Sequence, residues 1–305
     1  MSTENSLPEI HITSTTAFQP AILGWEVYMK DQGKSPYTIK AFVGDIYLLS
    51  SYLPPDKNVG DVTTGDLNNF LNWLEKGRGV PCSPKSYARR ITSIKAFFRW
   101  LHKYGVTNID PAEKIVQKSV ISPLPEVLTP EEEAAVLEIA DKMRSAQPPD
   151  SRPYTLLKLL LDTGIKKGEC LGININHLDL DSAQGPYLFV RYTSLQNRYK
   201  ERKIPLTDEW IAACQEYIAQ YQPDEQLFPW SPRRLEYLLE DLSNAAGLTK
   251  HLSFDMCRWT SVLNDWRSSM DQDKIRQKLG ISKIQWREIS AKLRKLAGES
   301  ASEES

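Results

Sequence analysis

Ser83-Pro84-Lys85-Ser86-Tyr87-Ala88-Arg89-Arg90-Ile91-Thr92-Ser93-Ile94-Lys95-Ala96-Phe97-Phe98-Arg99-Trp100-Leu101-His102-Lys103 is the most informative stretch of the chain. Ser83 offers an oxygen to the free amides of a helix start, and Pro84 suits the first helical position, where no amide hydrogen is needed. From there Ile91, Ile94, Phe97, Phe98 and Leu101 recur at the spacing of one helical face. The residues between them carry six cations (Lys85, Arg89, Arg90, Lys95, Arg99 and Lys103) and no acid. The pattern predicts a helix with an apolar face for a core and a cationic face for something else.

The same start signal recurs on either side. Ser35-Pro36, Thr129-Pro130 and Ser231-Pro232 repeat the cap-proline pair, and Thr63, Thr207 and Ser253 are further caps. Glu132 adds a capping-box carboxylate after Thr129. Apolar residues follow at helical spacing, as in Ile39, Phe42, Val43, Ile46 and Leu49, then Leu67, Phe70, Leu71 and Leu74. Four helices therefore fit between Phe18 and Tyr104. Asp110-Pro111 and Pro123-Leu124-Pro125 interrupt any helix, so 108–127 reads as a linker between a first domain over 16–107 and a second over 128–297. The second is also mostly helical. Tyr187–Tyr192 and Lys203–Leu206 are short and β-prone around a polar turn, which predicts a small hairpin. Residues 1–15 and 298–305 read as flexible tails.

The chain has 305 residues, enough for two domains at about 100–200 residues each. No apolar run approaches the roughly 18 residues of a membrane span, and the first 20 residues match neither a signal nor a transit peptide. Cys82, Cys170, Cys214 and Cys257 lie far apart, as do His11, His102, His177 and His251. That spacing fits reduced cytoplasmic thiols and offers no metal site. Net charge is −1, from 38 basic and 39 acidic residues. The distribution is uneven: residues 266–297 hold nine basic residues against three acidic, so a near-neutral total conceals basic faces.

Several segments, in order, resemble the tyrosine recombinase (phage integrase) family, including its Xer-type members. They are Ser35-Pro36-Tyr37-Thr38, the Tyr87–Leu101 run, Leu128-Thr129-Pro130-Glu131-Glu132, and Leu160-Leu161-Asp162-Thr163-Gly164-Ile165 through Gly168-Glu169. They continue with Lys200-Glu201-Arg202-Lys203-Ile204-Pro205-Leu206, Leu252-Ser253-Phe254 through Arg258-Trp259-Thr260, and Leu279-Gly280-Ile281-Ser282. The resemblance spans about residues 18–297. It implies a mainly α protein: an N-terminal four-helix core-binding (SAM-like) domain, then a mostly helical tyrosine-recombinase catalytic-type domain with a small β-hairpin or sheet. It also implies a duplex DNA partner, a two-domain clamp on that DNA, and no cofactor or metal.

In the family a tyrosine phenolate attacks a DNA phosphodiester, two arginines hold the phosphorane, a hairpin lysine protonates the leaving oxygen, and two His or His/Trp positions assist. The matching positions here are Lys166 for the first arginine, Asn197 for the lysine, Asp255 and Ile281 for the histidines, Arg258 for the second arginine, and Ser290 for the nucleophile. Only Arg258 agrees. Lysine lacks the planar fork that grips two oxygens, although hairpin register leaves Arg198 or Lys200 within reach of the Asn197 position. No tyrosine follows Tyr237, so no shift of register restores the nucleophile. The second domain is expected to be inactive.

The expected DNA contacts are Lys34, Tyr37, Lys40, Lys85, Arg89, Arg90, Lys95, Arg99, Lys200, Arg202 and Arg258. Arg258 has an alternative role as a structural partner of Asp255, three residues earlier on one helix. Trp259 and Trp266 are expected to pack. Trp286, Ile289, Leu293 and Leu296 form an apolar stripe that, by resemblance, contacts a neighbouring protomer or else folds back on its own domain. The leading reading is a catalytically degenerate recombinase-like protein that binds duplex DNA without cleaving it, in an accessory, architectural or regulatory role. Two others stand beside it: an active recombinase with an atypical or partner-supplied nucleophile, and a protein-interaction module that has lost DNA binding.

Overall fold

The computed structural model describes residues 11–80, 82–116 and 123–299. They divide into two compact units, Met1–Pro123 and Leu124–Ser305. The first contains α1 (Phe18–Asp31), α2 (Pro36–Tyr52), α3 (Thr64–Asn72) and α4 (Pro84–Lys103). Ser35, Thr63 and Ser83 cap their helices through the side-chain oxygen, as the sequence predicts. Trp25, Phe70, Phe97 and Phe98 are among the largest fully buried side chains of this unit's core. Each such aromatic contributes roughly 1.5–3 kcal/mol by leaving water.

The boundaries of this unit extend past the sequence reading. Gly60 and Val59 donate to the carbonyls of Ser14 and Thr16, at 2.9 and 3.0 Å, so residues 13–16 are tied down rather than loose. Ala112 and Ile115 are buried in the same core, so the stretch 108–116, read as linker, belongs to the first unit. Residues 1–10 and 300–305 of the expected tails, and 117–122 of the expected linker, lie outside the described residues.

The second unit runs α5 (Pro130–Arg144), α6 (Arg152–Thr163), α7 (Lys167–Leu171), β1 (Leu178–Asp179), β2 (Tyr187–Val190) and β3 (Arg202–Pro205). It continues with α8 (Asp208–Tyr221), α9 (Pro232–Ala245), α10 (Phe254–Arg267), α11 (Gln272–Leu279) and α12 (Lys283–Ala297). Thr129 and Glu132 form the predicted capping box. The expected hairpin becomes a three-stranded antiparallel sheet in the order β1-β2-β3, with Leu188 opposite Ile204 and both buried. β2 is shorter than read, β3 begins and ends one residue earlier than read, and a 3₁₀ turn, Leu195–Lys200, joins them.

The C-terminal stripe follows the second of its two expected courses and folds back on its own domain. Leu293 is fully buried, and Trp286, Ile289 and Leu296 are half-buried against Val262, Leu263, Ile275, Leu279 and Ile281 of the same unit. Trp259 and Trp266 join this cluster, with the Trp266 and Trp286 rings 6.3 Å apart. The stripe is thus covered in cis, and the contact with another protomer proposed for these four residues is not needed to bury them. Among the described residues no helix is long and apolar enough to cross a membrane.

Candidate functional site

Lys166, Arg258 and Ile281 lie where α6, α10, α11 and the sheet meet. Gly164 ends α6 in the left-handed conformation that glycine adopts freely. Lys166 follows at the N-cap of α7, and its amide donates to Glu169 Oε2 at 2.8 Å. Glu169 is the anchor of the site. Its side chain is 2% exposed, and it accepts from Arg202 Nη2 at 2.9 Å, from Arg202 Nη1 at 3.1 Å and from the Tyr192 hydroxyl. The bidentate guanidinium holds the Glu169 carboxyl down at about 2 despite a burial cost that pushes the other way.

The two arginines have structural partners. Arg258, on the second turn of α10, donates from Nη1 to the Gly164 carbonyl and from Nη2 to the Leu279 carbonyl at 3.1 Å. Arg202 Nε donates to the Lys278 carbonyl at 2.6 Å. Helix α11 ends at Leu279, so the two guanidiniums cap its otherwise unpaired last carbonyls, where positive charge is favoured. Arg202 also packs so tightly beneath Gly280 that a Cβ there would lie 2.6 Å from Nη1. Burial lowers Arg258 to about 10, with Arg202 adding to the shift and Glu169 opposing it.

Lys166 shares the same field. Burial lowers its pKa first, Glu169 opposes, and Arg258, Lys200 and Arg202 lower it further. Three further cations thus act on Lys166 beside the one buried carboxylate, and two of them, Arg202 and Arg258, are engaged by internal partners. Lys200 Nζ donates to Asn197 Oδ1 at 2.8 Å, so the lysine lies beside the position where the family's hairpin lysine is expected.

The remaining positions contribute no such chemistry. Asp255 is exposed in the first turn of α10, where a carboxylate suits the helix start, and no described ion pair joins it to Arg258. That removes the pairing considered from the sequence: the burial of Arg258 favours two backbone carbonyls instead. Ile281 packs in the core beside Leu279. Ser290 Oγ donates to the Arg287 carbonyl of its own helix at 3.2 Å, and no described hydrogen bond joins it to Lys166, Lys200 or Arg258.

In the first unit, Lys34, Tyr37, Lys40, Lys85 and Arg99 are exposed, with Tyr37 at 87%. Lys95 is half-buried and donates to the Glu113 carbonyl at 3.4 Å. Arg89 and Arg90 have internal partners. Arg89 Nη1 donates to Asp45 Oδ2 at 2.5 Å and to the Ala41 carbonyl at 2.9 Å; Arg90 Nε lies 3.6 Å from Asp45 Oδ1 and its Nη1 donates to Cys82 Sγ. Asp45 is buried and also accepts from Ser93 Oγ at 2.8 Å, yet desolvation outweighs these partners and raises its pKa. Arg89 and Arg90 therefore tie α4 to α2. Arg202 and Arg258 likewise serve internal partners. Glu169 and Tyr192 are site residues that sequence reasoning missed; the matched Gly168-Glu169 segment held the signal, but the partners lie in another strand and loop. Among the described residues no group of three or more His, Cys, Asp or Glu could hold a metal ion.

Comparison with known proteins agrees with this geometry. The model of the phage integrase family matches residues 126–289, and that of the phage integrase N-terminal SAM-like domain matches residues 23–105. Tyrosine recombinase XerC of Xylella fastidiosa (strain M23) is 26% identical over 265 residues, covering 83% of this chain and 85% of that protein. Tyrosine recombinase XerD of Listeria innocua serovar 6a is 26% identical over 193 residues, 63% of this chain, and the match spans 62% of that relative's length. Among solved structures, XerH site-specific recombinase bound to difH substrate has a TM-score of 0.66 at 16% identity, covering 94% of this chain and 90% of that one. A lambda integrase dimer bound to a COC' core site has a TM-score of 0.69 at 16% identity, covering 88% and 93%. The structural likenesses establish the fold. With the first family model matching more than half of its length, the chain belongs to the phage integrase family, the tyrosine recombinases.

Proposed function

We propose that this protein binds duplex DNA in the cytoplasm without cleaving it, as an accessory, architectural or regulatory member of its family. The observation that carries the reading is Ser290 at the nucleophile's position, with its hydroxyl turned to its own helix and no tyrosine after Tyr237. A serine alkoxide is far harder to form than a phenolate with a pKa of about 10. Lys166 supports the same conclusion, because a point charge replaces a two-oxygen fork.

DNA contact in this reading falls to the exposed cations Lys34, Lys40, Lys85 and Arg99, with Tyr37 beside them and Lys95 and Lys200 as partial contributors. Arg89, Arg90, Arg202 and Arg258 hold the scaffold. The similar XerH and lambda integrase structures, both of DNA-bound proteins, add weight to a DNA partner. A fluorescence anisotropy titration with labelled duplex at low salt tests the reading. Binding that weakens steeply with salt is expected, and no binding at micromolar protein overturns it.

One observation favours a second reading. Lys166 keeps the field of Lys200, Arg202 and Arg258 around it, which favours a phosphate attacked by a partner's tyrosine. Cleavage by a mixture of this chain with an active relative, lost when Lys166→Ala is introduced here alone, would support it. The third reading, a protein-interaction module, loses one of its motives, because the C-terminal stripe packs on its own unit.

A further inference from the structure

The loop between β2 and β3 has a fixed stem and an exposed tip. Tyr192, just after β2, and Arg202, at the start of β3, both bond the buried Glu169 carboxylate, which pins the two ends of the loop to one point. Glu201 Oε1 accepts from the Tyr192 amide at 2.9 Å and closes the stem. Beyond it, Leu195 is 72% and Tyr199 76% exposed, two of the three most exposed large apolar side chains described in the second unit.

The charges around that tip are of one sign. Arg191, Arg198 and Lys203 are exposed, and Lys200 Nζ sits 5.1 Å from the Tyr199 ring centroid while donating to Asn197. The one acid between residues 191 and 203 is Glu201, already engaged in the stem. A cleft of about 380 Å³ bordered by Tyr199, Lys200 and Arg276 lies on one side. Another of about 680 Å³, bordered by His177, Arg191 and Arg198, lies on the other. The loop is a cationic prong carrying an aliphatic and an aromatic side chain into solvent.

We propose that Leu195 and Tyr199 form a wedge that enters a base-pair step of duplex DNA and kinks it. The inference rests on the DNA-binding reading above and deepens it by assigning the mode of contact. Most of each side chain is exposed, so water favours their burial elsewhere. A polyanion attracts Arg191, Arg198 and Lys203, and the apolar gap of a partly unstacked step accepts the two side chains. Flexible pyrimidine–purine steps open most easily, so the wedge selects shape at positions where no base edge is read. The fixed stem lets the prong hold a bend without being bent itself.

The test uses the full chain with short duplexes carrying a fluorescent donor and acceptor at their ends. One duplex has a central TA step and the other a stiff A-tract; anisotropy on the same samples reports occupancy. The wild type is expected to bring the ends of the TA duplex closer and to move the A-tract duplex less. The double variant Leu195→Ala/Tyr199→Ala, with an unchanged melting temperature, should still bind through its cations yet leave the end-to-end distance at its free value. Binding without any change of distance by the wild type overturns the wedge, as does an identical change with the double variant; either result assigns the exposed pair to a partner of another class. Absence of wild-type binding overturns the DNA-binding reading and the wedge with it, so the two failures are distinct.

Discussion

Glu169 and Arg202 form a bidentate ion pair at 2.9 and 3.1 Å, with their side chains 2% and 9% exposed. The pair joins α7 to β3, and through the Lys278 carbonyl it reaches the end of α11. It therefore organises the region around Lys166 and Arg258, although neither residue is one of the six positions carried over from the family.

Arg202→Met should leave a buried carboxylate unpaired and destabilise the protein by about 3–5 kcal/mol in urea unfolding. Glu169→Gln/Arg202→Met should cost less than the sum of the single changes, because the two lose a shared interaction. The pH dependence has a definite sign. Glu169 is held at about 2, below its ordinary 4.5, so its contribution is present above pH 4.5 and fades as pH falls toward 2. Glu169→Gln should remove that slope.

Asp45 should behave in the opposite way. Its pKa is raised, so the stability it contributes is present below its ordinary value of 3.8 and lost as pH rises through the shifted value. Asp45→Asn, which keeps acceptors for Arg89 and Ser93, is expected to change stability at neutral pH by less than about 1 kcal/mol. The difference between wild-type and Asp45→Asn unfolding midpoints, followed across acidic to neutral pH, reads the effect directly.

Cations with different partners should separate in a salt titration. Lys85→Ala and Arg99→Ala are each expected to weaken duplex binding and reduce the slope of log affinity against log salt by about 0.9. Arg90→Ala should lower the melting temperature and leave that slope unchanged, because its guanidinium faces Asp45 and Cys82.

Much of the fold was legible because its signals are local. The caps at Ser35, Thr63, Ser83, Thr129, Thr207, Ser231 and Ser253 each act within three residues, and all seven form. The two-residue strand β1 carries no period to detect. The roles of the arginines depend on residues distant in sequence. Nothing near Arg89 announces Asp45, and nothing near Arg202 announces Glu169, so both arginines read as free surface charge until the fold brings their carboxylates to them. The positions themselves were readable from motif order; the partners that convert cations into struts were not.

Restoring the missing phenol alone should not restore chemistry. Ser290→Tyr is expected to yield no covalent DNA adduct, since Lys166, Asp255 and Ile281 still stand where the family pattern has an arginine and two histidines. Denaturing electrophoresis of the variant with labelled duplex checks this.

The central claim is tested most directly by incubating the wild-type chain with a nicked suicide duplex that traps any protein joined to a 3′-phosphate, then resolving the products under denaturing conditions. Duplex bound in a native gel with no covalent species in the denaturing one is the predicted result. A covalent adduct formed by the isolated protein and lost in Ser290→Ala or Tyr199→Phe would contradict it.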